Sequence, residues 1–201
     1  MQSLNDAIDE LSRFVTDQAV LTADRCGFGF VAVPECAPGA YALPTRTGLP
    51  AIPEDVGAPC TWDDLTIAHR ICSETRNPFP VSDSSSATAL YGRWANYAFR
   101  FWHDITHVVT GQSFTFADER IVSAHHYHDA CEAGLGPLSL ALLEADTFGQ
   151  LLFGHRNGGF VADQRRFDLL YVQAGFRHAE ADALQLRSRA ARDDGKCSSA
   201  H

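Results

Sequence analysis

The sequence predicts an all-α fold, a single-domain helical bundle with an irregular, proline-rich region near the N-terminus. Apolar residues recur at the three- and four-residue spacing of helices over most of the chain. At 201 residues the chain has the length of one domain, and 45% hydrophobic against 20% charged residues is enough to build a core. We expect residues 1–186 to form this domain, with residues 23–60 irregular and residues 187–201 a flexible tail.

The N-terminal third combines two helices with a long irregular segment. A helix is predicted over residues 3–22, with Ser3 placed to cap its first turn. Six of the nine prolines then fall within residues 25–60, which predicts loops with a short extended piece at residues 28–33. A second amphipathic helix is predicted over residues 61–74, capped by its first residue.

The most apolar segment is the predicted central helix, residues 87–110, which follows a break at residues 77–86. Apolar side chains occur on more than one face of this helix, so it should be buried from several sides. Gly111 is placed as its C-cap. Three further helices are predicted over residues 115–133, 138–153 and 163–184. The first is capped by Thr115 or Asp118, and the second is stopped by Gly154.

Charge and hydropathy exclude several classes of protein. Sixteen basic against 25 acidic residues give a formal charge of −9, which disfavours a general affinity for nucleic acid. The chain has no apolar run long enough to span a membrane, and its acidic start is unlike a signal peptide. The six cysteines are scattered without a C-x-x-C pair. We therefore expect a cytoplasmic protein with reduced thiols.

The central helix carries a pattern typical of a metal site. His103 and His107 lie four residues apart, so both imidazoles project from one helix face and reach the same ion. Glu119, in the first turn of the next helix, returns a carboxylate to this point if that helix folds back. Asp104 either ligates as well or orients a histidine. Nitrogen ligands beside carboxylates favour zinc or iron(II) over calcium and leave coordination positions for a substrate or water.

The stretch HDITHVVTGQSFTFADE, residues 103–119, reads H-D-x-x-H-x11-E. It resembles the signature of the coenzyme Q biosynthesis protein 4 family, including the V-x-T-G after the second histidine, and the likeness extends to residue 143. The resemblance implies an all-α fold and oxidative decarboxylation at the first carbon of a quinone-precursor ring. It also implies an apolar cavity for a prenylated lipid and a divalent metal held by His103, Asp104, His107 and Glu119.

A hydrophobic small molecule or prenyl lipid is the partner that this resemblance implies. Phe101, Trp102, Leu140 and Leu143 are candidates to line its pocket, although aromatic residues at helical spacing usually belong to a core. Such a ligand is compatible with peripheral contact at the inner membrane and with a homo-oligomer.

Two other functions fit parts of the pattern. The H…HD…D order of HD-type metal-dependent phosphohydrolases is matched by His69, His103 with Asp104, and Asp163 or Asp168. The phosphohydrolase interpretation gives no role to Glu119. The third interpretation is a non-enzymatic, metal-stabilised lipid-binding or scaffold protein.

A second histidine cluster, HHYHD, follows in the same region and comprises His125, His126, His128 and Asp129. His126 lies two turns beyond Glu119, about 10 Å along a helix axis, so a shared metal is not expected. We expect this cluster to form a solvated polar face.

Overall fold

The structure is a computed structural model that describes residues 2–35, 41 and 57–197, with side chains described up to residue 190. Its first helix, α1, spans Leu4–Cys26 and extends past the predicted end. The Ser3 hydroxyl accepts a hydrogen bond from the backbone N–H of Asp6, whose carboxylate accepts one from the backbone N–H of Ser3. The predicted cap of this helix is therefore confirmed.

The other helices of the described ranges follow in chain order. They are α2 (Trp62–Thr75), α3 (Arg93–Thr110), α4 (Phe116–Glu132), α5 (Pro137–Glu144), α6 (Gln150–Asn157), α7 (Gln164–Ala174) and α8 (Phe176–Cys197). A 3-10 turn at Ser86–Thr88 precedes α3, and a π-helical turn at Ala145–Gly149 joins α5 to α6. The predicted mainly helical class is confirmed.

A small parallel sheet of two strands, β1 (Phe30–Val33) and β2 (Phe79–Ser82), is the one sheet within the described ranges. The extended piece predicted at residues 28–33 is confirmed as β1. The break predicted at residues 77–86 does separate α2 from α3, and the strand β2 within it was not predicted. Pro80 has no N–H to donate, but each strand of a two-stranded sheet has an open edge that tolerates proline.

The central helix α3 begins later than predicted, at Arg93 instead of residue 87. The intervening Gly92 has φ of 82°, a left-handed conformation that an α-helix cannot contain. The other end agrees with the prediction, since Gly111 closes the helix with φ of 68°.

The C-terminal helices are divided differently from the prediction. Gly154 does not stop a helix but lies inside α6, which runs to Asn157. The single helix predicted over residues 163–184 is two helices, α7 and α8, because Gly175 between them has φ of 83°. Residues 187–197, expected in a flexible tail, are helical in α8, where alanine and arginine favour a helix without any apolar face.

Two clusters of buried residues lie on either side of α3, so its predicted burial from several sides is confirmed. Phe101 and Ile105 pack with α2 and the sheet, whereas Ala95 and Trp102 pack with α1 and α5. A helix held on two sides fixes the direction of the polar residues that it turns toward α4. Within the described ranges, no helix has both the length and the hydropathy needed to cross a bilayer.

Candidate metal centre

A tight reversal between α3 and α4 brings the predicted ligands together. His103 and His107 lie one turn apart on α3. Gly111 ends α3, and Thr115 starts α4 by accepting a hydrogen bond from the backbone N–H of Asp118. Glu119 is consequently in the first turn of α4, where its side chain reaches back to α3.

Three side-chain atoms form a small triangle at this reversal. The Nε2 atoms of His103 and His107 are 3.1 Å apart. Glu119 Oε2 lies 3.5 Å from Nε2 of His103 and 3.4 Å from Nε2 of His107. This is the one group of three potential metal ligands found in the described part of the chain.

The dimensions of the triangle fit one metal ion. Ligand atoms about 2.1 Å from a common ion, at angles between octahedral and tetrahedral, lie roughly 3.0–3.4 Å from one another. The three separations, 3.1, 3.4 and 3.5 Å, agree with this range to within about 0.1 Å. Two imidazole nitrogens and one carboxylate oxygen are the donors that zinc and iron(II) take in sites with open coordination positions.

The buried imidazole of His107 is oriented by the backbone. Its Nδ1 lies 3.0 Å from the carbonyl oxygen of Gln112, which can only accept, so Nδ1 carries the hydrogen. In the neutral imidazole this leaves the lone pair of Nε2 directed at Glu119 and His103. The side chain is fully buried and packs edge-on against Phe114. The ring is therefore held in the tautomer that a metal ligand needs.

The charges of the cluster are complementary. Burial raises the pKa of Glu119, but hydrogen bonds from His103 and His107 and their charges outweigh it and lower this pKa to about 2. Burial lowers the pKa of His107, but the hydrogen bond and charge of Glu119 prevail and raise it. Without a metal, the interactions with the two imidazoles keep the Glu119 carboxylate ionised.

Asp104 lies outside the triangle. Consecutive helical residues point about 100° apart, so its carboxylate leaves α3 in another direction from His103, and it is not in the group of converging ligand atoms. Burial raises the pKa of Asp104 to about 6, against the lowering effect of His103 and His107. Ligation by Asp104 and its alternative role, orienting a histidine, both stay predictions.

His126 corrects the expectation of a solvated histidine cluster. It is fully buried, and its Nε2 lies 3.1 Å from Nδ1 of His103. The axial distance from Glu119 concerned a shared metal, and His126 lies outside the converging group found among the described residues. The distance did not reveal the contact with His103, because α3 and α4 run in opposite directions from the reversal. Moving forward along α4 therefore leads past His107 to His103. His125 and His128 are exposed, as expected.

A signal for the burial of His126 was present in the sequence. Val122, Ser123, His126 and Ala130 form the inward face of α4 at helical spacing. A histidine in register with an apolar face is directed toward the core regardless of its polar neighbours.

The residues of the phosphohydrolase interpretation lie elsewhere. His69 packs against Phe28, with ring centroids 5.7 Å apart. Asp163 caps α7 by accepting a hydrogen bond from the backbone N–H of Arg166. Asp168 is fully buried in a separate polar cluster. None of His69, Asp163 and Asp168 belongs to the converging group found among the described residues.

That separate cluster, which the sequence analysis missed, is here called the acid pair and comprises Asp146 and Asp168 with Tyr91 and Gln150. Tyr91 donates to Asp146 Oδ2 at 2.5 Å, and Gln150 Nε2 donates to Asp146 at 2.8 Å and to Asp168 at 3.0 Å. Burial and the neighbouring Asp146 charge raise the pKa of Asp168 well above its usual range. Burial raises the pKa of Asp146 as well, against the lowering effect of its hydrogen bonds with Tyr91 and Asp168, so the two carboxyls together favour retention of a proton.

The expected apolar pocket is not formed by the residues proposed for it. Phe101, Trp102 and Leu143 are buried in the two core clusters, where they are at most 4% exposed, and Leu140 packs against one of them. These side chains fill the core because α1 and α2 close over both sides of α3.

The fold and the triangle together define a helical domain with a candidate two-histidine, one-carboxylate metal centre. Comparison of the chain with models of known protein families, with curated proteins and with solved structures yields no match.

Proposed function

We propose that this protein binds one zinc or iron(II) ion through His103, His107 and Glu119 and acts on a prenylated quinone precursor or similar hydrophobic ligand. The observation that carries the proposal is the convergence of three ligand atoms within 3.5 Å of one another. The substrate class rests on the resemblance of residues 103–119 to the coenzyme Q biosynthesis protein 4 family, whose proposed chemistry is an oxidative decarboxylation.

The exposure of the three ligands supports access from one side. His107 is completely buried, whereas the side chains of His103 and Glu119 are 22% and 21% exposed. An ion held here would be covered from the side of His107 and approachable from the side of the other two. A bound divalent metal supplies a Lewis acid that polarises a ligand oxygen, and iron supplies redox chemistry in addition.

Two phenylalanine rings beside the imidazoles would orient an aromatic ligand, and Glu119 would balance the charge of the ion. The ring of Phe99 stacks on His103 with centroids 5.6 Å apart, and the ring of Phe114 meets His107 at 5.0 Å. Both phenylalanines are only partly buried, so their rings present apolar surface beside the imidazoles. Glu119, ionised across the physiological range, offsets the charge of the ion.

A non-enzymatic role is the second candidate. The ligands come from both α3 and α4, so a metal would link the two helices across their reversal and stabilise the fold. This arrangement would serve a metal-stabilised protein that presents a hydrophobic ligand to partners. Copurification of a lipid without turnover would favour this role.

Metal content of the purified protein tests the proposal. We expect about one zinc or iron per chain in the wild type and in His69→Ala, and loss of that metal in Glu119→Ala. His69→Ala is the matched control because His69 is a partly buried histidine of another helix. Mass spectrometry of the organic extracts would identify a bound prenyl compound. Metal that persists in Glu119→Ala, or disappears in His69→Ala, would contradict the assignment.

A further inference from the structure

The fully buried His126 has one ring nitrogen directed at the candidate metal centre and one without a partner. Its Nε2 lies 3.1 Å from Nδ1 of His103, and its Nδ1 has no hydrogen-bond partner among the described residues. A polar atom buried without a partner is costly, and native structures contain few. The position of this imidazole therefore calls for a reason beyond packing.

The surroundings hold the His126 ring in one place. Its centroid is 3.9 Å from that of the Trp102 ring and 5.6 Å from that of Phe99. Trp102 belongs to the core between α3, α1 and α5, and Phe99 also stacks on His103. The contact between the two imidazoles thus results from rigid packing and not from the rotation of an exposed side chain.

The tautomers of the two imidazoles are coupled through this contact. Only one of the two facing nitrogens can carry the shared hydrogen. If His126 Nε2 carries it, the neutral His103 has its own hydrogen on Nε2, inside the triangle, and cannot ligate. If His103 Nδ1 carries it, the lone pair of His103 Nε2 is free for a metal, and the hydrogen of His126 is on Nδ1.

We propose that His126 is a positioning residue that accepts a hydrogen bond from His103 Nδ1 and so fixes His103 in the tautomer that ligates the metal. The inference rests on the proposed metal centre and deepens it. His107 receives the same support from the carbonyl oxygen of Gln112, at 3.0 Å. Each imidazole of the triangle then has its outer nitrogen bound to an acceptor, the arrangement that ligating histidines generally show.

Zinc and cobalt(II) binding by variants of the full chain tests this assignment. In His126→Phe the acceptor is lost, and we expect zinc affinity to fall by about 10- to 100-fold. In His126→Gln the side-chain carbonyl accepts the same hydrogen bond, so most of the affinity should return. His125→Gln, an exposed neighbour on α4, is the matched control and should bind like the wild type.

Imidazole nitrogen NMR of the zinc-loaded wild type gives a readout that packing alone would not move. We expect His103 to carry its hydrogen on Nδ1 and His126 to carry its hydrogen on Nδ1. A zinc-loaded protein with the hydrogen of His126 on Nε2 would overturn the assignment, even if His126→Phe failed to fold. Unchanged affinity in His126→Phe would overturn it too, whereas no zinc binding by the wild type would overturn the metal centre as well.

Discussion

The triangle at the α3–α4 reversal and the acid pair beside the π-helical turn are both polar clusters between helices, the first partly exposed and the second buried, and their hydrogen bonding differs. In the acid pair, Tyr91 and Gln150 donate to carboxylate oxygens, and burial raises the pKa of both carboxyls, which favours a proton shared between them. These polar groups therefore find their hydrogen-bond partners within the acid pair itself. In the triangle, two imidazole Nε2 atoms and a carboxylate oxygen converge. Each of these atoms can offer a lone pair, so a proton or a cation is needed between them. This difference supports the proposal that the triangle binds a cation, whereas the acid pair needs no ligand to satisfy its polar groups.

The largest effect that would separate the two clusters is stabilisation by zinc. With zinc at about 100 times the dissociation constant, binding adds roughly 2.7 kcal/mol to the free energy of unfolding. We expect thermal unfolding measured with and without zinc to show this gain in the wild type and in Asp168→Asn. Glu119→Gln, which removes the charge but little volume, should show almost none.

If zinc stabilised the wild type and Glu119→Gln equally, the ion would be bound elsewhere, and the distinction between the two clusters would fail. Loss of the effect in Asp168→Asn would equally assign binding to the acid pair.

The next effect concerns the pH dependence of stability in metal-free protein. Because the pKa of Asp168 is raised in the folded state, the native chain retains a proton that the unfolded chain releases. The contribution of this proton to the free energy of unfolding is fully present below the pKa of an unfolded aspartic acid, about 3.9. It is lost as the pH rises through the higher pKa that Asp168 has in the folded state. The amide of Asp168→Asn cannot ionise, so this variant should gain about 1 kcal/mol or more over the wild type between pH 5 and 8.

Urea unfolding at a series of pH values measures this difference. Asp9→Asn, an exposed residue of α1, is the control and should follow the wild-type curve. A parallel curve for Asp168→Asn would show that the acid pair does not hold an extra proton.

The smallest expected effect compares two helix caps. Thr115 caps α4, which carries Glu119, and Asp163 caps α7, which carries Asp168. Replacement of either by alanine should cost about 1 kcal/mol of stability in urea unfolding. Only Thr115→Ala should also weaken zinc binding, by a few-fold, because the first turn of α4 positions the carboxylate. Equal zinc affinity in the two variants would show that the reversal does not depend on this cap.

Local sequence patterns predicted the three residues of the triangle but not the contact between His126 and His103. His103 and His107 share a helix face through their four-residue spacing, and Gly111 and Thr115 mark the reversal that returns Glu119. His126 was misjudged because its polar neighbours were given more weight than its helical spacing from Val122 and Ala130, and its contact with His103 depends on how α4 packs on α3.

The same distinction applies to the fold. The caps at Ser3 and Thr61 are local and were predicted correctly. The strand β2 was missed because pairing with β1, more than forty residues earlier, compensates for Pro80. The acid pair was missed because the packing of α7 on the π-helical turn brings Asp146 and Asp168 together.

Location of zinc in a crystal of the loaded protein tests the central claim most directly. An anomalous difference map at the zinc absorption edge should show one strong peak about 2.0–2.2 Å from Nε2 of His103, Nε2 of His107 and a carboxylate oxygen of Glu119. A dominant peak at the exposed His125 and His128, or no peak within ligand distance of all three residues, would contradict the account.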